Sequence, residues 1–202
     1  MLKQYLENEV IFTETELKSK YINSDWPIMA TNESELMKET ADILCSNNGS
    51  VLNIGFGLGI IDTYIRNQNP KEHCIIEAHP QVCKKAKEMG FNVLCGKWED
   101  IVKDFIKDGK RFDSIYFDTY VFDYKKYPQW APFTHIVPKL LNPYGIYSYF
   151  NNMASKIEKV AEIIETYGWK KYQKNLPNPT ENEDYELVWY INKWFLKILI
   201  FI

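Results

Sequence analysis

From residue 51 onward, short unbroken apolar runs alternate with longer segments whose apolar positions repeat at helical spacing. VLNIGF (51–56) breaks at glycines and reads as a buried strand, with GIIDTYIRN (59–67) following as a helix. HCIIEA (73–78) is a strand that ends on a carboxylate. PQVCKKAKEMG (80–90) opens on proline and closes on glycine, the punctuation of a helix. FNVLCG (91–96) predicts a third strand, WEDIVKDFIKDG (98–109) a third helix and RFDSIYFDTY (111–120) a fourth strand. Residues 124–141 predict a helix interrupted at its prolines, and Asn142-Pro143-Tyr144-Gly145 a turn before the strand IYSYFN (146–151). In 155–167, Ile157, Val160, Ala161, Ile163 and Ile164 form the apolar stripe of an amphipathic helix.

Strands and helices alternating at these lengths build a mostly parallel sheet covered on both faces. Two strands without a helix between them, 169–175 and 185–202, close the chain and predict an antiparallel hairpin at the sheet's edge. The expected fold is therefore α/β and Rossmann-like, with seven strands. No repeat, long linker or low-complexity tract interrupts the chain. It reads as one domain over 1–202, with 1–32 an N-terminal segment placed to cover a site and 33–202 the α/β core.

Composition narrows the partners. The 202 residues fit a single domain, and the abundant tryptophan and tyrosine fit a well-filled core with an aromatic-lined pocket. A net charge of −3 argues against non-specific nucleic-acid binding, which needs basic patches, and is compatible with a cationic ligand. Cys45, Cys74, Cys83 and Cys95 show no CxxC pair and no zinc-like spacing, so four reduced thiols and no metal are expected. MLKQYLENEV lacks the layout of a signal peptide, and the apolar tail WFLKILIFI is too short to cross a bilayer and reads as a buried terminal strand. A cytoplasmic protein without membrane association is the expectation; oligomeric state stays open.

Candidate chemistry gathers where strands end. Gly55, Gly57 and Gly59 stand where the strand 51–56 turns into a helix, and glycine there lets a ligand approach the backbone closely. The spacing differs from the GxGxxG of nicotinamide enzymes, and a glycine loop alone is a weak signal. Glu77, twenty residues after Gly57 at the end of the next strand, sharpens it, because a carboxylate there accepts hydrogen bonds from both hydroxyls of an adenosine ribose. After the third strand, Trp98 offers a wall for an adenine ring and Glu99 an acceptor for its exocyclic amine. Taken alone, Trp98 reads as a core tryptophan; its place in the order makes it a candidate. Asp118 ends the fourth strand, on the carboxyl edge where open α/β sheets bind ligands.

VLNIGFGLGIID (51–62), HCIIEAHPQV (73–82), GKWEDI (96–101), FDSIYFDTY (112–120) and LNPYGIYSYFN (141–151), in that order, resemble the guanidinoacetate N-methyltransferases and the fungal protein-arginine δ-N-methyltransferases. The fungal branch is the more similar, through LNIGFGLGIIDT and the EAHP after it, although no ankyrin-like segment is present. The resemblance covers about residues 5 to 151 and implies a class I methyltransferase using S-adenosyl-L-methionine. It also implies cofactor contacts from Met29, Gly55, Phe56, Gly57, Leu58, Gly59, Ile60, Ile61, Glu77, Ala78, His79, Trp98, Glu99 and Asp118. In this family a W-E-x-P-x-M segment ahead of the first core strand supplies an acid and a methionine. Residues 24–29 here read Ser-Asp-Trp-Pro-Ile-Met, which puts Asp25 at the acid, Met29 at the methionine and Trp26 out of place, after the acid. The segment after the fifth core strand matches Asn151-Asn152-Met153, where guanidinoacetate enzymes carry threonine at the last position.

A guanidinium is planar, has five donors and stays protonated in water, so carboxylates are its natural partners for gripping, orienting and deprotonation. Asp25 and Asp118 are accordingly the candidate catalytic acids, with Asp25, Asp118, Tyr120, Asn151 and Asn152 as substrate contacts. Backbone contact with the ligand is expected of His79, and no site role of His73 or His135. The expected reaction is N-methylation of a guanidino group in arginine, free or within a polypeptide, or in a related small molecule. Two other readings stand: a different amine or hydroxyl acceptor, favoured by the displaced tryptophan, and a non-catalytic S-adenosylmethionine-binding protein.

Overall fold

The structure, a computed structural model, describes residues 2–20, 27–119, 130–150, 154–176 and 185–192. Its centre is the strand β4 (Ser50–Ile54), whose five residues are all buried, as befits a parallel strand covered on both faces. Around it β5 (Glu72–Glu77), β6 (Val93–Cys95), β7 (Phe112–Phe117), β8 (Leu141–Tyr149), β9 (Lys170–Leu176) and β10 (Tyr185–Ile191) form a seven-stranded sheet in the order β6-β5-β4-β7-β8-β10-β9. The first five in that order are parallel; β10 runs antiparallel to β8, and β9 antiparallel to β10, giving the expected hairpin.

Alternation along the strands sorts the core into two layers. Leu52, Ile54, Ile76, Ile115 and Phe117 face α5 (Trp98–Lys107), α6 (Trp130–Leu140) and α7 (Ala154–Glu165). Val51, Ile75, Tyr116 and Ile146 face α2 (Ser34–Leu44), α3 (Ile60–Asn67) and α4 (Pro80–Glu88). Ahead of this core, α1 (Leu2–Glu7) leads into a small antiparallel sheet of β1 (Val10–Phe12), β2 (Glu16–Ser19) and β3 (Met29–Ala30), and a 3-10 turn (Thr31–Glu33) runs straight into α2.

Two expectations are corrected. Residues 142–145 are not a turn ahead of a strand but a bulged part of β8, whose register against β7 jumps from Phe112↔Leu141 to Ser114↔Ile146. Tyr144 takes a left-handed φ of 61°, and its amide and the Gly145 carbonyl both bond to Asn192, so these backbone groups find partners across the sheet. The second concerns the thiols. Cys83 and Cys95 are joined in a disulfide with a Cα–Cα distance of 5.8 Å, because α4 packs back against the edge strand β6. Cys45 and Cys74 are free and buried, and burial pushes both thiols up to about 11. The apolar tail lies outside the described residues, and no helix among those described is long and apolar enough to cross a membrane.

Candidate active site

β4 and β7 lie side by side, yet the helix after β4 covers one face and the helix after β7 the other. Diverging connections leave a crevice at the carboxyl ends of the pair, the place where open α/β sheets bind ligands. Gly55 opens the turn after β4 with φ +99°, and a Cβ on it would stand 1.8 Å from the Asp118 carbonyl oxygen at the end of β7. Glycine here is what lets the two strand ends close together. Gly55→Ala is expected to lower stability by about 3 kcal/mol or more, readable by urea denaturation, because both the φ and the close approach exclude a side chain.

Glu77, at the end of β5, is buried and ties two turns together. Its Oε2 accepts the Phe56 amide at 2.9 Å and its Oε1 the His79 amide at 2.6 Å. Burial raises its pKa, and the amides of His79, Phe56, Ala78 and Gly57 pull it back. With one well-formed amide bond on each oxygen, acceptor capacity remains on both, which fits a ribose diol. His79 is fully committed: its Nδ1 accepts the Gln81 amide as the cap of α4, and its Nε2 lies 2.9 Å from the Asn8 carbonyl. It therefore holds the N-terminal segment to the core, as does Gln81, whose Oε1 accepts the Val10 amide.

The glycine turn is also held from its two flanks. On one side Met29, buried in β3, receives the Leu58 amide on its Sδ at 3.2 Å, and that sulfur is the atom that a Cβ on Gly57 would strike. On the other, the buried Asn53 donates from Nδ2 to the Gly55 carbonyl at 2.7 Å and to both oxygens of buried Asp62. His73, expected to have no site role, stands 2.9 Å from Asp62 and opposes the upward push that burial exerts on that carboxyl. A cavity of about 560 Å³ opens beside Gly57, Leu58 and Ile60, between the β1–β2 hairpin and Lys85 of α4 with Met89 just after that helix.

The acid that sequence reasoning missed is Glu33. It ends the 3-10 turn after β3 and stands at the N-cap position of α2 without a side-chain capping bond. In the fold it comes within repulsive reach of Asp118. Burial and that repulsion raise the Glu33 carboxyl from 4.5 to about 8. The hydroxyl of Tyr116, buried on β7, senses both acids and is pushed up as well. A carboxyl with a higher pKa in the fold than in the unfolded chain weakens folding as pH rises between those values, here from 4.5 to about 8. Glu33→Gln should therefore match the parent in denaturation near the lower limit and exceed it above the upper one, by on the order of 2 kcal/mol after allowance for partial exposure.

Other candidates sit elsewhere. The Phe56 and Ile61 side chains lie in the core, Phe56 in edge contact with Phe91, so only their backbones border the turn. Trp98 is a core residue at the start of α5, edge-on to Phe117 and Phe133, and its indole N–H finds no partner among the described residues. Glu99 is half-buried in the first turn of the same helix. Asp25, Tyr120, Asn151 and Asn152 lie outside the described residues.

A glycine turn pinned to a strand-end glutamate, with the end of β7 packed against it, on a mostly parallel sheet ending in an antiparallel hairpin, is the architecture of the Rossmann-like methyltransferases. Solved structures agree on the fold. The N-methyltransferase NodS from Bradyrhizobium japonicum in complex with S-adenosylhomocysteine superposes with a TM-score of 0.59 at 16% identity, over 95% of this chain and 96% of that one. Precorrin-6y C5,15-methyltransferase from Geobacter metallireducens gives 0.59 at 16%, over 79% and 89%. Among curated relatives, protein arginine N-methyltransferase 2 of Candida glabrata is 37% identical over 183 residues, covering 81% of this chain and 43% of its own length. The protein of that name from Saccharomyces cerevisiae is 34% identical over 185 residues, covering 82% and 44%. The chain thus spans less than half the length of these relatives. A family model described as guanidinoacetate N-methyltransferase matches residues 3–166, and the chain belongs to that family.

Proposed function

We propose that this chain transfers a methyl group from S-adenosyl-L-methionine to a guanidino nitrogen of arginine, free or within a polypeptide. The observation that supports this reading is the backbone of Asp118 against Gly55, by which the end of β7 that carries this acid meets the glycine turn. Both the family's name and the arginine methyltransferases among the relatives support a guanidino acceptor.

In this reading the turn Gly55–Gly59, Met29 and Glu77 hold the cofactor, Glu77 through the ribose hydroxyls. Bound there, S-adenosylmethionine supplies an electrophilic sulfonium methyl. The protein's own contribution is positional. Asp118 pairs with the guanidinium and turns one nitrogen toward the methyl, and fixing two reactants in that way lowers a barrier by up to about 7–11 kcal/mol. Asp25, Tyr120, Asn151 and Asn152 are proposed to complete the acceptor pocket. The test is transfer of labelled methyl to arginine, guanidinoacetate and an arginine-containing peptide. Label on arginine or the peptide is the expected result; no label on any of the three would overturn the proposal. Label on other amines or hydroxyls alone would favour the alternative acceptor, to which the displaced Trp26 points.

A further inference from the structure

We propose that Asp62 and His73 are positioning residues of the cofactor site, a buried pair that acts through Asn53 to set the angle at which the glycine turn meets Glu77. This rests on the reading above that the turn and Glu77 hold S-adenosylmethionine, and it gives a role to two groups that the transfer itself leaves unused.

The pair closes the turn as a clasp. Asn53 stands on β4 two residues before Gly55, and Asp62 in the first turn of α3 three residues after Gly59. The Asn53 Nδ2 donates to both Asp62 oxygens, at 2.9 and 3.0 Å, so one side-chain contact spans the two ends of the turn. His73, on the neighbouring strand β5, adds a third element, with its Nε2 2.9 Å from Asp62 Oδ1. Opposite a carboxylate that nitrogen is the donor. Asn53 and Asp62 are fully buried, and the His73 side chain is 11% exposed. Burial disfavours charge on Asp62, while His73, Asn53 and a backbone amide at the start of α3 favour it. A buried ion pair adds little net stability over apolar packing of the same shape; what this one fixes is an orientation.

That orientation belongs to the Asn53 amide. Its Nδ2 also donates to the Gly55 carbonyl at 2.7 Å, while its Oδ1 is buried with no partner among the described residues. Flipping the amide would turn Oδ1 onto three acceptor oxygens, two of them on Asp62. The Gly55 carbonyl lies in the same rigid peptide plane as the Phe56 amide, and that amide donates to Glu77 Oε2 at 2.9 Å. One plane is therefore held at one end by the clasp and at the other by the acid proposed to take the ribose. Gly55, at φ +99°, has the backbone freedom to let the plane rotate once Asn53 releases it. The Glu77 oxygens would then turn away from the diol.

The experiment is calorimetric titration of the full chain with S-adenosylhomocysteine, beside urea denaturation. Asp62→Asn keeps the shape but removes the charge and one acceptor oxygen, and should weaken affinity about tenfold. His73→Leu should do the same, whereas His73→Gln, which keeps a donor at similar reach, should lose only about twofold. In a Glu77→Gln background, Asp62→Asn should cost about twofold or less, because its effect travels through Glu77. Residues serving stability alone would lower the denaturation midpoint and leave these affinities level. On whichever guanidino probe is methylated, KM for S-adenosylmethionine should rise about tenfold in Asp62→Asn, with the acceptor KM at its parental value. Should Asp62→Asn fail to fold, the two His73 variants decide. Parental affinity in Asp62→Asn or His73→Leu, or an undiminished loss in the Glu77→Gln background, overturns the clasp and leaves the cofactor reading standing. A parent that takes up no S-adenosylhomocysteine overturns both, and one that takes it up but methylates no guanidino probe overturns the guanidino acceptor alone.

Discussion

Asp118→Asn should leave S-adenosylhomocysteine affinity within a few-fold of the parent and lower the single-turnover rate of methyl transfer about a thousandfold. The substitution keeps the shape of the side chain and the backbone carbonyl against Gly55, so the strand end and the glycine turn retain their packing. What it removes is charge. An amide offers one acceptor oxygen and a competing donor, so it cannot grip a guanidinium bidentately, and the acceptor nitrogen loses its alignment with the methyl. The loss belongs in kcat if Asp118 orients the acceptor at the moment of transfer, and in KM if it only helps the acceptor to bind. Rapid-quench measurement with labelled methyl separates the two. An unaltered rate would remove Asp118 from the chemistry. The same variant should relieve the repulsion on Glu33, so its denaturation profile should lose part of the pH-dependent weakening expected of the parent.

Glu77→Ala should weaken S-adenosylhomocysteine binding at least about a hundredfold and also destabilise the free protein by about 2–4 kcal/mol. Both effects come from one side chain acting twice. In the structure, the carboxylate satisfies the buried amides of Phe56 and His79, and removal leaves both without an acceptor. The glycine turn then loses its tie to β5, and a ribose loses its proposed partner. Glu77→Gln separates the roles. It keeps one oxygen for an amide, so about half of the stability should return, while affinity should stay well below that of the parent. Calorimetric titration and urea denaturation of both variants provide the check. A Glu77→Ala protein of parental stability would show that the turn does not depend on this carboxylate.

Much of the architecture was legible in the chain because its signals are local. The apolar runs at 51–56 and 73–78, the proline and glycine flanking 80–90 and the stripe of 155–167 report strands and helices within a few residues of themselves. The glycine turn and Glu77 were legible for a related reason: a strand followed by a glycine turn has few conformations open to it, and strand alternation determines where the next carboxylate ends. Where long-range pairing decides, local signals mislead. Residues 142–145 carry every mark of a turn, yet Asn192 offers their backbone partners and draws them into β8.

Sequence alone determined the order of strands and helices from residue 51 onward, the parallel sheet closed by a hairpin, and the glycine turn with Glu77 after it; the small sheet β1–β3 and the helices α1 and α2 ahead of it came only from the structure. Tertiary structure decided the meeting of Glu33 with Asp118, the disulfide between Cys83 and Cys95, and the pinning of Gly55 through Asn53, Asp62 and His73. Periodicity and turn chemistry act over one or two turns of chain. A repulsion between acids, or a bond between sulfurs, depends instead on distances that exist only once the elements have packed.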